Sequence, residues 1–251
     1  MEIKRKPFQG VFNIIRFNWH FYVIAFAVIF LSFLINPFLP SDLQLLIRIG
    51  AGIATFSILI SLFISFYIYD RSDLYQLKWI QNANDQTLLN INAGFDETSE
   101  IIKNKFPGTE LSVCDFYNPE THTEISIKRA RKAYPPYPGT ITVKTDYLPF
   151  QNNQFNTIAG ILSVHEIRNE TERVVFFREL HRILKQDGEI FITEHLRNTN
   201  NFLAYTIGFF HFHSEKTWIS TFQKSGFKIK EKLSATPFIT TFILEKNGNS
   251  L

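Results

Sequence analysis

The stretch that decides the fold is residues 141–196, ITVKTDYLPFQNNQFNTIAGILSVHEIRNETERVVFFRELHRILKQDGEIFITEHL. Thr140 to Lys144 and Thr157 to Leu162 read as strands. Between Glu172 and Leu184 the apolar residues Val175, Phe176, Leu180, Ile183 and Leu184 recur at helical spacing and share one face. That helix runs out in Leu184-Lys185-Gln186-Asp187-Gly188, and Glu189 to Thr193 begins another strand. Strands that alternate with a helix predict a parallel sheet covered on both faces, with ligands gathered at the carboxyl ends of the strands.

Working outward, Thr87 to Ile91 reads as a strand and 97–105 as a helix closed by Pro107-Gly108. Glu110 to Cys114 is a second strand, and 124–133 a helix stopped by Pro135-Pro136. On the other side, Ser214-Glu215-Lys216 opens a helix that Gly226 ends, a serine cap and a glycine stop. Two strands in succession, Phe227 to Leu233 and Ile239 to Glu245, close the chain. The expected fold is therefore α/β: a Rossmann-like, doubly wound, mostly parallel seven-stranded sheet with an antiparallel last strand.

Residues 19–69 are of another kind. Trp19 to Leu39 and Ile49 to Tyr69 contain no Lys, Arg, Asp or Glu, and each is long enough to cross ~30 Å of hydrocarbon as a helix. Pro40-Ser41-Asp42 breaks them, so a hairpin of two transmembrane helices is predicted to precede the α/β domain. Gly50, Gly52, Ser57, Ser61 and Ser65 would let the second helix approach a neighbour closely. A signal peptide is the rival for the first span, but no small-residue cleavage site follows it and a second span does. A buried soluble hairpin is the other rival, and it lacks the polar stripe such helices carry. Lys4, Arg5, Lys6 and Arg16 before the first span, with Arg71 and Lys78 after the second, place both termini and the catalytic domain in the cytoplasm of an integral membrane protein. The expected organisation is 1–18 as a cytoplasmic N-terminus, 19–69 as the hairpin, 70–84 as a linker and 85–251 as the folded domain.

A net charge of +3 with scattered basic residues offers no nucleic-acid surface, so no nucleic-acid partner is expected. The single cysteine, Cys114, leaves no internal disulfide and no cysteine-based zinc site. His211 and His213 alternate as metal ligands can, but the sequence supplies no evident third, and no metal is expected.

Asp115 ends the second strand 21 residues after Gly94, the offset at which a carboxylate accepts from ribose hydroxyls in nucleotide-binding sheets; it also suits a turn into Asn118-Pro119. Asn92-Ala93-Gly94-Phe95-Asp96-Glu97 does not supply the glycines of a nicotinamide-binding loop. Ser163-Val164-His165-Glu166 ends the fourth strand, where His165 could serve as a general base with Glu166 orienting it. Thr193-Glu194-His195 ends the fifth on the same rim.

The strand order, the Asp146-Tyr147-Leu148-Pro149-Phe150 motif and the following Phe155-Asn156 together resemble the class I S-adenosylmethionine-dependent methyltransferases of the ubiquinone/menaquinone-biosynthesis type. The resemblance covers about residues 85–246 and not the hairpin. It implies S-adenosyl-L-methionine as cofactor, held by Asn90, Asn92 and Gly94 at the first loop, Asp115 at the ribose, Asp146 and Leu148 at the adenine, and Ser163. It implies His165 and Glu166 as catalytic residues. The aromatic stretch 201–213, with Tyr205, His211 and nearby His195, would cover a substrate pocket. Departures from the pattern are one glycine where three are usual, Asn90 for the strand acid, and Asn156 for Asp. The expected function is methyl transfer to a hydrophobic small molecule or lipid at the cytoplasmic membrane face. A membrane-tethered, inactive module of the same fold is the alternative.

Overall fold

The computed structural model describes residues 5–248 apart from Asn82 and Thr123; Lys4 of the basic flank lies outside the described residues. Seven strands form one sheet in the order β3-β2-β1-β4-β5-β7-β6. They are β1 (Thr87–Asn92), β2 (Glu110–Asp115), β3 (Ile141–Thr142), β4 (Phe155–Ile161), β5 (Leu184–His195), β6 (Phe227–Thr236) and β7 (Ile239–Lys246). Pairing is parallel from β3 to β5, whereas β7 runs antiparallel to both β5 and β6, as the two closing strands predicted.

The central strands alternate between two cores. Leu89, Ile91, Ile158, Ile190 and Ile192 point to one face, where Phe176, Phe177 and Leu180 of α5 (Glu170–Ile183) and Trp218 and Phe222 of α7 (Glu215–Lys224) cover them. Leu88, Ala159, Ile161 and Phe191 point to the other face. Asn169 caps α5 by accepting from the Glu172 N–H, and Ser214 caps α7 by accepting from Thr217.

Residues 70–84 are not a free linker. Leu74, Leu77 and Ala83 are fully buried with Ile68, Trp79 and Ile80 in the second core. A sheet of this kind needs cover on both faces, and here the segment after the hairpin supplies part of it together with Ile102 of α3 (Ser99–Lys105).

The apolar stretches form α1 (Gln9–Ile35) and α2 (Ser41–Phe66), both long and apolar enough to cross a membrane. They start earlier than the apolar runs do, because each continues past its polar end. In α1 the buried residues are Gly10, Asn13 and Phe17, one face at helical spacing. The helix kinks at Asn18, where the Phe17 carbonyl accepts from Arg129 of α4 (Ile125–Ala133) at 2.6 Å. Beyond the kink, Trp19 and a run of Phe, Ile, Val and Leu as far as Ile35 stand exposed.

Candidate active site at the strand ends

The turn after β1 is tied to α1. Gly94 has φ +87, a left-handed conformation that favours glycine; a Cβ there would meet only the movable Arg131 side chain. Phe95 points outward, its ring 5.5 Å from that of Phe17 and 5.3 Å from Tyr134. Glu97 accepts from Arg5 at 3.0 Å and Tyr75 at 2.8 Å, with Gln9 and Asn13 at 3.5 Å. Asp70 completes the dock by accepting from the Gly10 and Val11 N–H groups at 2.7 and 2.9 Å, the free donors at the start of α1.

Asn90 is fully buried, and its amide donates to Thr98 and Ser99 at 2.9 and 2.8 Å. It therefore braces the turn from behind rather than presenting that nitrogen to a ligand. Among the described residues its Oδ1 has no partner, nor do Asn92 Nδ2 and Asp96 Oδ2. Two acceptors and a donor left unpaired and buried beside the Gly94 turn match an amino-acid zwitterion, which offers an ammonium and a carboxylate. The residues present thus fit the methionine end of S-adenosylmethionine.

Asp115, expected at the ribose, is buried and ion-paired with Arg131, while its other oxygen accepts from the Tyr117 N–H at 2.8 Å. Arg131 is over a third exposed, so it can leave. Asp146 stands exposed in the turn after β3. Leu148 is fully buried in the core, its N–H donating to Glu179 at 3.0 Å, and it offers no surface to a ligand. Ser163 likewise turns inward: its hydroxyl donates to the Ile91 carbonyl at 3.0 Å and stitches β4 to β1.

The turn after β4 is organised by Glu194, which is wholly buried. Its Oε1 accepts from the main-chain N–H groups of Ser163, Val164 and His165 at 3.2, 2.8 and 3.1 Å. Its Oε2 takes His165 Nδ1 at 2.6 Å. His165 Nε2 meets Glu166 Oε1 at 3.2 Å, and His211 Nε2 reaches the same oxygen at 3.3 Å. His211 Nδ1 lies 3.2 Å from Glu124 Oε1. Burial lowers the basicity of His165, but the Glu194 and Glu166 carboxylates outweigh it and raise its pKa to about 10. Burial acts upward on Glu166, and the two histidines overcome it to hold the acid below the usual carboxylate range. His165 is therefore not a solvent-facing free base: its two ring nitrogens are held between the carboxylates of Glu194 and Glu166.

His195 is not on the open rim. It is buried, hydrogen-bonded to the Tyr69 hydroxyl through Nε2 at 2.8 Å and to Asn201 through Nδ1 at 3.1 Å, and stacked on Phe212. Burial pushes its pKa down to about 3. It is a joint between the base of the hairpin and the sheet. Tyr205 ends α6 (Thr199–Tyr205), a helix the aromatic composition had concealed, and among the described residues its buried hydroxyl and that of Ser65 in α2 have no hydrogen-bond partner. After α6 the chain winds through Thr206–His211 and leaves Phe202, Leu203, Ile207 and Phe210 exposed beside the hairpin. His213 turns away from His211 toward Arg173 and Trp218.

Glu124, Arg131 and Glu97 were not singled out from sequence, and Glu194 was noted only within the rim cluster Thr193-Glu194-His195, without a role. Glu194 was detectable: a carboxylate in the run Phe191-Ile192-Thr193-Glu194, inside a buried strand, must have partners. The others meet their partners only across long stretches of chain.

A methyltransferase-domain family model matches residues 111–192. No curated protein sequence matches the chain. Among solved structures, a SAM-dependent methyltransferase from Aquifex aeolicus is similar, with a TM-score of 0.52 and 13% identity over 75% of this chain and 97% of that one. A Haloferax volcanii methyltransferase solved with its activator protein gives 0.52 and 12% identity over 76% and 97%. The fold is that of the S-adenosylmethionine-dependent methyltransferases.

Proposed function

We propose that the chain is an S-adenosylmethionine-dependent methyltransferase, anchored in a membrane by α1 and α2, that methylates a hydrophobic small molecule or lipid at the cytoplasmic face. The observation that carries the cofactor reading is the set of three orphaned polar atoms at the Gly94 turn, on the fold such enzymes use. Asn90, Asn92 and Asp96 would hold the methionine end, Asp115 the ribose once Arg131 swings away, and Asp146 the adenine. When bound, the cofactor supplies an electrophilic methyl group. The chain's own work is alignment: the β4 turn, rigid on Glu194, fixes one wall, and the flap 199–213 excludes water above it. Glu166, ionised, places negative charge beside a cationic donor.

The membrane reading rests on the exposed apolar lengths of α1 and α2 and on the four exposed apolar residues of the flap at their base. A lipophilic acceptor would reach the strand ends from the bilayer without crossing water. The basic flanks support the cytoplasmic orientation.

The Arg131–Asp115 pair favours the second reading, an inactive module, because it fills the ribose position. Calorimetric titration of S-adenosylmethionine into the full chain in detergent decides between them. The full chain is needed because α1 forms part of the loop's support. Micromolar binding supports the enzyme; no binding at millimolar ligand by folded protein supports the module.

A further inference from the structure

The cluster at the β4 turn has an arrangement that methyl transfer does not require. His165 Nε2 and His211 Nε2 lie 3.2 and 3.3 Å from one oxygen of Glu166, and one ligand atom from each of the three residues falls within 4.8 Å of the others. A tetrahedral cation with bonds of about 2.0–2.1 Å sets its ligand atoms roughly 3.3 Å apart. Two of the three edges already have that length.

The outer contacts are those of a ligand set as well. The far nitrogen of each histidine faces a carboxylate: His165 Nδ1 to Glu194 at 2.6 Å, His211 Nδ1 to Glu124 at 3.2 Å. Such carboxylate–histidine pairs fix the tautomer, aim Nε2 at the metal and raise its donor strength. Glu194 in turn is immobilised by three main-chain N–H groups. One charge opposes a cation. The Arg168 guanidinium lies against His211, touching its Nδ1 and its carbonyl, with Nη2 3.1 Å from its Nε2 and 3.9 Å from Glu124. It sits on the rim, more than a third exposed, and would have to turn outward for a cation to bind.

We propose that His165, Glu166 and His211 form a binding site for a divalent transition-metal cation of the zinc class. Two imidazoles and one carboxylate are a ligand set for such metals, and they leave a fourth position for water or an oxygen of a bound molecule. His211 comes from the flap while the other two come from the β4 turn, so a cation would also fasten the flap over the strand ends. The proposal stands on the ligand geometry and not on the methyl-transfer reading.

The test is titration of chelator-treated full chain in detergent with Co2+ alone, followed by its visible ligand-field bands, and with Zn2+ alone by calorimetry. One equivalent should bind, and His211→Ala and Glu166→Gln should each weaken it by ~100-fold or more, with Glu124→Gln costing ~10-fold. His213→Ala, which removes the neighbouring histidine outside the cluster, should leave affinity unchanged. His211 is partly exposed, so its replacement leaves the core intact, and circular dichroism verifies the fold. Absence of binding at millimolar metal, or binding that His211→Ala leaves untouched, overturns the proposal and makes the cluster an ion network only. Neither result depends on whether S-adenosylmethionine binds.

Discussion

The turns after β1 and β4 end neighbouring strands on the same rim, yet they are held in opposite ways. The β4 turn is held from within, by the next strand: Glu194 gathers three N–H groups and His165 over a separation of about thirty residues. The β1 turn is held from outside, by the hairpin: Glu97 and Phe95 meet Arg5 and Phe17 from the far end of the chain. The difference explains why the first turn departs from the glycine-rich pattern. Phe95 and Glu97 seat α1, while the positions behind them keep the small and amide residues and the unpaired atoms. Two side chains of that loop are thus packing contacts for the start of the chain.

The largest effect should come from breaking the inner support. Glu194→Ala leaves a buried imidazole and three main-chain donors without their acceptor, and should cost ~3–5 kcal/mol, read from thermal or denaturant unfolding in detergent. A loss under ~1 kcal/mol would mean the turn does not hang on Glu194.

The hairpin joint should show itself in pH dependence. His195 titrates near 3 when folded, well below its ordinary 6.5. The unfolded chain therefore binds the extra proton between those values, and stability present above pH ~6.5 is lost as pH falls toward 3, by up to ~1.4 kcal/mol per unit. His195→Gln should flatten that part of the profile; an unchanged slope would assign it to other groups.

At the cofactor rim, Asp146→Ala should weaken S-adenosylmethionine binding tenfold or more, ~1.4 kcal/mol, with little change in unfolding, because Asp146 is exposed. Equal affinity in wild type and variant would remove Asp146 from the site. The smallest effect sharpens the outer support. A double-mutant cycle on Phe17→Ala and Phe95→Ala should give a coupling of ~0.5–1.5 kcal/mol in stability. Additive losses would show that α1 and the β1 turn do not act as a unit.

Much of the fold was legible because its signals are local. The strand residues Thr87 to Ile91, the helical spacing of Phe176, Leu180 and Ile183 and the serine cap at Ser214 each lie within a few residues of one another, and the structure agrees with all three, although Val175 is only half-buried and Leu184 begins β5 instead of ending the helix. Two closing strands in succession gave the antiparallel end. The site was legible only in part. Gly94, Asp115, His165 and Glu166 were placed at strand ends by their position in sequence, but the groups they contact were not. Segment 70–84 was misread as a linker because Leu74, Leu77, Trp79 and Ile80 lack a clean period, and their burial depends on a sheet face elsewhere.

By itself the sequence determined the two apolar helices, the alternating strands and helices, and the rim on which polar residues gather. These follow from hydrophobic periodicity and turn chemistry, which act over one element at a time. Only the tertiary structure decided that α1 braces the β1 turn, that Glu194 and Glu166 flank the two nitrogens of His165, and that His211 joins His165 and Glu166 rather than His213. A side chain's charge and role are set by the groups within a few ångströms of it, and here those groups come from β5, α4, the flap and the start of the chain.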